Sequence, residues 1–397
     1  MVAALDGVTV LALEQAVAVP FATRQLADLG ARVIKIERPL VGDFARHYDT
    51  RVNGLSSYFA WLNRSKQSLA IDLKSADGAE VIRDLATRCD VVIQNLAPGA
   101  TERLGLASAT LREAKPSLIT VDLTGYGSNG PLAGRKAYDL LIQAEAGLLS
   151  VTGTSDEIVR AGISVADIAG GMYVYSAVLA ALVHRERTGQ GTAIEVSLFD
   201  ALVEWMGHPV HYAMYTGEAP ARAGDSHPTI YPYGSFAASD GRIQFGIQNE
   251  REWVSFCSQV LEVAEVATDP MFVTNADRHE HRRELQQRIE AAFVTQTVAE
   301  ISRRLDAAGI AYGMVNDVPA LLEHPQLVER QRWSEVGSPN GRIRTLRPVA
   351  IMHGHDEPIG PVPAVGEHTA QILTELGYDA DAIAALIASG VTATSES

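Results

Sequence analysis

Asp167 stands in the segment AGISVADIAGGMYVYSAVLAAL (161–182), at the start of the most apolar helical pattern of the chain. An aspartate in such a place is commonly a helix N-cap, which accepts hydrogen bonds from unpaired backbone N–H groups. It can also be a nucleophile, because a helix N-terminus favours negative charge and a free aspartate has a pKa of about 3.9. The two interpretations are compatible, and both predict an ionised carboxylate. Gly170 and Gly171 follow, and their lack of a side chain would let a ligand approach the backbone.

Several basic residues of the first half could bind the phosphate groups of a nucleotide-bearing ligand. Most Lys and Arg side chains are solvated surface charges. Arg38 and Arg103 differ, because each follows a predicted strand end and stands beside a loop that contains Pro and Gly. A planar guanidinium matches the geometry of phosphate oxygens. The full set of candidates is Arg24, Lys35, Arg38, Lys66, Lys74, Arg103, Arg135 and Lys136.

Other familiar catalytic and binding patterns are absent from the sequence. It contains no GxxxxGK[ST] loop, no GxSxG serine and no HExxH metal pair. Its two cysteines, Cys89 and Cys257, cannot build a disulfide framework or a four-cysteine metal site. The sequence therefore predicts no metal, no permanently bound cofactor and a reducing, cytoplasmic location.

Composition narrows the class of protein further. A chain of 397 residues predicts two domains, and its net charge of −15 argues against a nucleic-acid partner. The N-terminal segment has no basic region before its apolar run, so it does not resemble a signal peptide. The longest uncharged stretch, 168–183, is short for a membrane span and rich in Gly, Ala and Tyr. We expect a buried helix there and no membrane partner.

The elements that position these residues alternate between strand and helix over the first two hundred residues. This rhythm predicts a mainly parallel sheet with right-handed crossovers. Ligands of such sheets bind at the carboxyl ends of the strands, where the conspicuous loops of this chain lie. The predicted strands are 8–13, 32–37, 69–73, 90–95, 118–123 and 192–198, and the predicted helices are 20–29, 76–88, 137–149, 168–186 and 199–214.

A smaller α+β unit follows from about residue 215. The segment 227–247 predicts two strands joined by a turn at Ser239-Asp240-Gly241. Helical patterns at 250–264, 278–295 and 297–308 come next, and 311–316 has a strand pattern. The predicted division is 1–214, 215–335 and 336–397, and periodicity alone leaves open whether the last part rejoins the first.

Together these segments resemble the family III CoA-transferases, the group that includes formyl-CoA transferase and carnitine CoA-transferase. No single segment is specific, but their order and spacing are. The resemblance covers nearly all of 5–205 and continues more loosely to about 375. The matching segments are LDGVTVLAL (5–13), AVPFATRQLADLGARVIKIERPLVGDFAR (18–46), YFAWLNRSKQSLAIDLKSADG (58–78), DVVIQNLAPGATERLGL (90–106), LTGYGSNGP (123–131), KAYDLLIQAEAGLLSVTG (136–153), AGISVADIAGGMYVYSAVLAAL (161–182) and RTGQGTAIEVSLFDA (187–201).

The resemblance implies an α/β fold, an assembly and a set of site residues. A large Rossmann-like domain is made of the N- and C-terminal parts, a small α+β domain lies between them, and two subunits interlock as a homodimer. The catalytic aspartate falls on Asp167. The active-site loop that could stabilise an oxyanion comprises Gln15, Val17 and Ala18 with Gly170 and Gly171. The CoA-binding positions fall on Val17, Ala18, Arg38, Leu73, Lys74, Asn95, Ala100, Arg103, Lys136 and Tyr138.

The family chemistry exchanges CoA between an acyl-CoA thioester and a free carboxylic acid. The aspartate attacks the thioester to form a mixed anhydride, and the released CoA thiolate converts it to an aspartyl-CoA thioester. The acceptor acid then repeats the exchange in reverse. Covalent catalysis of this kind divides one difficult transfer into easier steps, and the retained CoA supplies proximity.

Local departures indicate the branch of the family. Formyl-CoA transferase has a glycine-rich flap where this chain has FGIQNEREW (245–253), so the guarding role of the flap is in doubt here. EQAVAVPFATRQLADLG (14–30) resembles the branch that acts on C4–C5 dicarboxylates, including mesaconyl-CoA C1–C4 CoA-transferase and succinyl-CoA-dependent transferases for malate, citramalate or itaconate. A dicarboxylate needs a cation for its free end, and the nearest candidates are Arg46, His47 and Arg51.

Two alternatives remain at this point. The fold also hosts α-methylacyl-CoA racemases, which need a histidine that the equivalent segment AGRKAYD (133–139) lacks. A non-catalytic acyl-CoA-binding protein is the other alternative, and it would not need Asp167. Trapping with hydroxylamine separates these classes, because only a transferase forms a covalent acyl-aspartate.

Overall fold

A computed structural model describes residues 2–355 and 357–395 of the protein. It consists of β-sheets flanked by α-helices. The strands are β1 Thr9–Leu13, β2 Arg32–Glu37, β3 Lys66–Ile71, β4 Val91–Gln94, β5 Ile119–Thr124, β6 Ala193–Ser197, β7 Tyr233–Ala237, β8 Arg242–Gly246, β9 Tyr312–Met314, β10 Trp333–Val336, β11 Ile343–Leu346 and β12 Thr392–Ala393. The α-helices are α1 Ala18–Asp28, α2 Ser57–Leu62, α3 Ala76–Arg88, α4 Ala100–Arg103, α5 Ser108–Ala114, α6 Asp139–Glu145, α7 Val165–Thr188, α8 Leu198–Trp205, α9 Gly207–Thr216, α10 Glu250–Ser255, α11 Asn275–Glu280, α12 Arg282–Phe293, α13 Val298–Ala308, α14 Val318–Leu322, α15 Pro325–Glu329, α16 Thr369–Leu376 and α17 Ala380–Ala388.

The large sheet has the strand order β12-β3-β2-β1-β4-β5-β6. Its strands β1 to β6 are parallel, and Val10 of β1 stands opposite Val33 of β2 on one side and Val91 of β4 on the other. The predicted parallel sheet is therefore confirmed. The chain order reverses between β1 and β4, which is the point where open α/β sheets of Rossmann type bind their ligands.

Helices cover both faces of this sheet. Alternate residues of β1 point to opposite faces, so Val10 and Ala12 join one core while Leu11 and Leu13 join the other. The first core is closed by α1 and α7, and the second by α3, α16 and α17. A strand buried on both faces reads as a continuous apolar run, which explains why the pattern of residues 8–13 located β1 well.

The third strand begins earlier than predicted. We expected it at 69–73, and the structure has it at Lys66–Ile71. Its first residues are polar, yet Lys66 and Ser68 are buried and their side chains are hydrogen-bonded to Glu14 and Glu37. Buried polar groups with partners are tolerated in a sheet, but an apolar pattern does not reveal them.

The chain divides into two compact units. The larger comprises the chain up to Leu148, Ala161–His208 and the chain from Glu329 onward, and the smaller comprises Leu149–Arg160 and Pro209–Val328. The divisions lie at 208/209 and 328/329, where we expected 214/215 and 335/336. The C-terminal part belongs to the larger unit, where β12 pairs with β3 and forms one edge of the large sheet.

The smaller unit has its own sheet and core. Its antiparallel strands β7, β8 and β9 form one sheet, and the turn at 239–241 joins the first two. Aromatic side chains fill the core, with Phe236 stacked on Phe245 and Phe245 packed against Phe256. After β8 the chain turns at once into α10, and Asn249 is the N-cap of this helix. Its side-chain oxygen accepts the Glu252 N–H, and its amide nitrogen donates to the Glu252 carboxylate. This turn is short and hydrogen-bonded, unlike a glycine-rich flap.

Among the described residues one helix, α7, is long and apolar enough to cross a membrane by length and composition. It packs against α1, α6, α8 and β5. The helix that we expected to be buried is only partly so, since 39% of its apolar window is buried within the chain.

Candidate active site

A cleft of about 1300 Å³ opens at the carboxyl ends of β1, β2, β3 and β4. It therefore occupies the switch point of the sheet. Arg38 follows β2, Leu73 and Lys74 follow β3, and Arg103 lies on α4 beyond β4. The predicted site residues that line the cleft are Gln15, Arg38, Leu73, Lys74, Ala100 and Arg103.

Not every predicted position lines this cleft. Asn95 lies behind Gln15 and binds it twice, since its side chain accepts the Gln15 N–H and donates to the Gln15 carbonyl, both at 2.9 Å. Lys136 and Tyr138 belong to the exposed segment that leads into α6. Arg83, which sequence reasoning did not select, does line the cleft and donates to the Leu104 carbonyl at 3.2 Å. It lies on a solvent-facing position of α3, so no sequence signal distinguishes it from a surface charge.

Three of the basic residues first considered for phosphate are already paired inside the protein. Arg24 binds Asp28 at 2.7 Å, Lys35 binds Asp43 at 2.8 Å and Lys66 binds Glu14 at 2.7 Å, and all of these side chains are buried. The exposed cations Arg38, Lys74 and Arg103 remain available to a ligand in the cleft.

Asp167 is the third residue of α7, and Ser164 occupies the N-cap position. The N-cap interpretation of Asp167 is therefore wrong. The helix start is instead bound by the carboxylate of Asp139, whose Oδ1 accepts the N–H of Ala166 at 2.8 Å and that of Asp167 at 3.4 Å. Asp139 thus satisfies the first-turn donors and leaves the Asp167 side chain free of that task.

The pKa of Asp167 also differs from expectation. Burial, and then the negative charge of Asp139, raise the pKa of Asp167 to about 7. The helix N-terminus does not hold this carboxylate at an ordinary acidic pKa, because loss of hydration outweighs it. A perturbed carboxylate of this kind is a candidate for function, and its basicity favours nucleophilic attack once it is ionised.

The glycine pair serves packing. A side chain on Gly170 would meet Leu198 at 2.6 Å, and one on Gly171 would meet the Ala18 carbonyl at 2.5 Å. Both glycines lie beyond the first turn of α7, where backbone N–H groups bond within the helix. We therefore withdraw Gly170 and Gly171 as ligand-facing oxyanion donors, since their role is to let α7 approach α1 and α8.

Close packing at Gly171 brings α7 against the first turn of α1. Asp167 precedes Gly171 by four residues, so it lies one turn away on the same face of α7. The loop between β1 and α1 leads into that first turn. In that loop the N–H of Gln15 is bound to Asn95 and that of Ala16 to Asp43. Val17 and Ala18 stand at the N-cap and first position of α1, where backbone donors have no intrahelical acceptor.

Tyr48 lies within electrostatic reach of Asp167, and sequence reasoning did not select it. Burial raises the pKa of Tyr48 to about 12, and the negative charges of Asp43 and Asp167 act in the same direction. The ring packs edge-on against Tyr58 at a centroid distance of 5.5 Å. The charge of Asp167 therefore acts on the hydroxyl of Tyr48, which ends the 3₁₀ turn Phe44–His47. An aromatic residue just after GDFARH is the only local sequence signal for it.

The predicted carboxylate partners have different surroundings. Arg46 donates to Glu37 through Nε at 2.8 Å and Nη2 at 2.7 Å, and its guanidinium lies 3.6 Å from the Phe59 ring centre. Although burial opposes it, Arg46 lowers the pKa of Glu37 to about 2. Arg46 is thus occupied by an internal ion pair, a correction to its expected role. His47 and Arg51 are exposed, and the guanidinium of Arg51 makes no hydrogen bond within the described part of the chain.

Metal-ligating clusters are not seen in the described ranges. No group of three or more His, Cys, Asp or Glu residues among 2–355 and 357–395 could hold a metal ion. Both cysteines are buried and far from reactive, because burial raises the pKa of Cys89 and of Cys257 to about 12. The chemistry that these residues offer is that of a carboxylate of raised pKa at the start of α7 and of a cationic cleft whose lining does not include Asp167.

Comparison with known proteins agrees with this class of enzyme. The sequence model of CoA-transferase family III matches residues 5–369. The chain is 34% identical to succinyl-CoA:glutarate CoA-transferase of Mus musculus over 98% of this chain and 90% of that protein. It is 35% identical to acetyl-CoA:oxalate CoA-transferase of Acetobacter aceti over 89% of this chain and 90% of that protein. The crystal structure of a CAIB/BAIF family protein from Brucella suis superimposes with a TM-score of 0.84 at 32% identity, over 95% of this chain and 100% of that chain.

A Rossmann-type sheet with a ligand cleft at its switch point, and a partly buried aspartate at the start of a long helix, agree with an acyl-CoA enzyme of the α/β class. The chain belongs to CoA-transferase family III. It is a CoA-transferase, with an acyl-CoA thioester and a carboxylic acid as its substrates.

Proposed function

We propose that the protein moves CoA between small dicarboxylic acids of four or five carbons, with Asp167 as the nucleophile. The observation that supports the nucleophile is the position of Asp167, which is partly buried at the start of α7 with its pKa raised to about 7. About half of such carboxylates are ionised near neutrality, and the ionised half is more basic than an ordinary aspartate. Both properties suit attack on a thioester.

The first half-reaction releases the donor acid. The Asp167 carboxylate forms a C–O bond to the thioester carbonyl carbon, and the C–S bond breaks as CoA leaves as a thiolate. The product is a mixed anhydride between Asp167 and the acyl group. The thiolate then attacks the aspartyl carbonyl, the donor carboxylate departs, and Asp167 carries CoA as a thioester.

The second half-reaction reverses these steps with the acceptor. The acceptor carboxylate attacks the aspartyl thioester and expels CoA thiolate, which then attacks the acyl carbonyl of the new anhydride. Asp167 is regenerated as a carboxylate, and no proton or electron is consumed. In each addition the charge develops on a carbonyl oxygen, and the first-turn N–H groups of Val17 and Ala18 are the donors we assign to it.

The cleft supplies the CoA site in this proposal. Arg38, Lys74 and Arg103 offer cations to the phosphates, and Leu73 and Ala100 offer apolar contact. Asn95 holds the backbone at Gln15. We retain Lys136 and Tyr138, in the segment before α6, as proposed CoA contacts on the family resemblance. CoA held in this way stays beside Asp167 through both half-reactions.

The choice of dicarboxylates rests on the relatives. One acts on succinyl-CoA and glutarate and another on oxalate, according to their names, and the chain matches both over most of their length. The free carboxylate of such a substrate needs a cation in a site that excludes water. Because Arg46 is paired with Glu37, His47 and Arg51 are the residues that we retain for this role.

We also propose the interlocked homodimer. Large apolar side chains are exposed on α6, α7 and the segment before α7, which is the kind of surface that a subunit interface covers. These residues are Leu140, Leu141, Ile163, Tyr173 and Val183. Light scattering that detects a stable, active monomer would contradict this assembly.

The nucleophile is tested by trapping. Wild-type protein is incubated with succinyl-CoA and then with hydroxylamine, and peptides are analysed by mass spectrometry. We expect a hydroxamate on Asp167, none in Asp167→Ala, and a normal label in Asp156→Ala, which removes an exposed aspartate instead. An unlabelled wild-type Asp167 in a protein that transfers CoA would refute the proposed mechanism.

A further inference from the structure

Charged side chains are buried beneath the loop that joins β1 to α1. Glu14, Lys35, Asp43 and Lys66 are each at most 3% exposed. The Lys66 ammonium binds Glu14 at 2.7 Å, and the Lys35 ammonium binds Asp43 at 2.8 Å and Glu14 at 3.3 Å. Burying such ions costs free energy that their mutual attraction often only balances. Stability alone is therefore a weak reason for this cluster.

The charged cluster forms hydrogen bonds with the backbone of the loop that follows β1. Asp43 Oδ1 accepts the N–H of Ala16 at 3.2 Å, while its Oδ2 faces Lys35. The Lys35 ammonium also lies 3.4 Å from the Glu14 carbonyl. On the far side, Asn95 binds both backbone groups of Gln15. Consecutive peptide groups of the loop are thus held by Lys35 of β2 and by Asp43 after it, which are both buried, and by the partly buried Asn95 just after β4.

One residue of the loop has a disfavoured backbone. Ala16 has φ of 62°, in the left-handed region. For a residue with a Cβ this conformation costs roughly 1–2 kcal/mol. Such a conformation persists only where the surroundings hold it, and the Asp43 carboxylate is the group bound to the Ala16 N–H.

The conformation of Ala16 sets the direction of the next two peptide groups. Those groups carry the N–H donors of Val17 and Ala18, and Ala18 lies against Gly171, one turn from Asp167. We propose that Asp43, anchored by Lys35, is a positioning residue for the transfer reaction. It keeps Ala16 left-handed and so aims the Val17 and Ala18 N–H groups at the acyl group on Asp167. This inference rests on the proposed function.

Asp43 also caps the 3₁₀ turn Phe44–His47 by accepting the Ala45 N–H at 2.9 Å. If Asp43 is only a cap, Asp43→Ala should lower the stability of the protein, and no substitution at position 16 should restore activity. Positioning predicts a different result, because glycine adopts φ of 62° without strain. Ala16→Gly should then restore activity to Asp43→Ala.

The experiment measures acylation of Asp167 in a single turnover, with CoA affinity and melting temperature alongside. We expect Asp43→Ala to slow acylation by about 100-fold, the usual effect of losing an oxyanion donor. The dissociation constant for CoA should change by less than about threefold. Asp43→Ala/Ala16→Gly should recover about tenfold, since removing a 1.4 kcal/mol bias restores that factor.

A second variant covers the case in which Asp43→Ala does not fold. Ala16→Val leaves the charge cluster intact, but a β-branched residue strongly resists positive φ. We expect it to slow acylation by at least tenfold with little change in CoA affinity. The control is Thr23→Val, which removes the 2.5 Å hydrogen bond to Oε2 of Glu14, an oxygen that contacts neither Asp43 nor the Ala16 N–H. It should lower the melting temperature and leave the acylation rate unchanged.

The results of these experiments distinguish the positioning role of Asp43 from the nucleophilic role of Asp167. If wild-type Asp167 is labelled by hydroxylamine but Asp43→Ala and Ala16→Val acylate at the wild-type rate, the positioning role is refuted and the mechanism stands. Failure of Ala16→Gly to raise the rate of folded Asp43→Ala would also refute it, in favour of a structural cap. If wild-type Asp167 is never labelled, the proposed nucleophile itself is wrong.

Discussion

The carboxylate of Asp139 binds the start of the helix that carries Asp167, with its Oδ1 2.8 Å from the Ala166 nitrogen and 3.4 Å from the Asp167 nitrogen. One aspartate thereby orders the backbone beneath the other and places a negative charge next to it. Burial and this charge together raise the pKa of Asp167 to about 7. A structural hydrogen bond and the reactivity of the nucleophile are thus coupled.

Asp139→Asn should shift the pH dependence of acylation to lower pH. Asn keeps an oxygen for the Ala166 N–H but removes the charge that disfavours ionisation of Asp167. Because burial is the larger cause, the midpoint should remain above the ordinary value for aspartate. The measurement is the single-turnover acylation rate between about pH 5 and 9, where the wild type should reach half its maximum near 7. An unchanged midpoint would show that Asp139 does not tune Asp167.

Asp167→Asn should make the protein more stable at alkaline pH. The folded-state pKa of Asp167 lies above its unfolded value, so its stabilising contribution is present below about pH 4 and is lost as pH rises through 7. A neutral asparagine does not lose this part of the free energy of unfolding. The loss for aspartate is at most about 4 kcal/mol, and it is smaller because Asp167 is partly solvated. Thermal unfolding should show a higher melting temperature for the variant at pH 8. The two melting curves should converge near pH 4, and a variant less stable than the wild type at pH 8 would contradict the shifted pKa.

Arg38→Ala and Arg103→Ala should each weaken acyl-CoA binding. Both side chains are exposed at the cleft. In the proposal they contact the CoA phosphates equally in the bound substrate and in the transition state. Such uniform binding affects KM more than kcat. We expect KM for acyl-CoA to rise about tenfold with kcat within threefold. Arg187→Ala removes an exposed arginine at the far end of α7 and should leave both constants unchanged. Wild-type CoA affinity in both cleft variants would mean that the nucleotide site lies elsewhere.

Arg46→Ala should destabilise the protein without changing its choice of substrate. The substitution leaves Glu37 buried with its main counter-charge removed, a loss of roughly 3–5 kcal/mol. Chemical denaturation at pH 7 measures the loss, and the ratio of kcat/KM for succinyl-CoA over butyryl-CoA should stay at the wild-type value.

The contrasting variants are His47→Ala and Arg51→Ala. Both side chains are exposed, so their removal should change the free energy of unfolding by less than about 0.5 kcal/mol. At least one of them should lower the preference for succinyl-CoA about tenfold. If Arg46→Ala alone changes that preference, the ion pair with Glu37 opens in the working enzyme and Arg46 regains its expected role.

Local pattern was enough for much of the fold. The apolar run 8–13 predicted a strand buried on both faces, 32–37 was predicted as the next strand, and both strands are central in the sheet. Order and spacing of segments carried the family assignment, which the comparison confirms. They also directed attention to Asp167. Periodicity failed where buried polar residues open a strand, as at Lys66, because their partners are distant in the sequence.

The properties of the site depended on contacts that no local pattern encodes. Arg46 looked available in its loop, and only the folded chain brings it against Glu37 and Phe59. Gly170 and Gly171 suggested a ligand until Leu198 and Ala18 were found to occupy the space beside them. In each case the sequence supplies the type of residue, while the tertiary structure supplies the neighbour.

The sequence by itself determined the family, the parallel sheet and the identity of the candidate nucleophile, because these follow from the order of residue types along the chain. The tertiary structure alone decided that Asp167 titrates near 7, that Asp139 binds its helix and that Ala16 is held by Asp43. A pKa and a strained φ are set by solvent exclusion and by charges and donors brought together across the fold. Those quantities do not exist until the chain has folded.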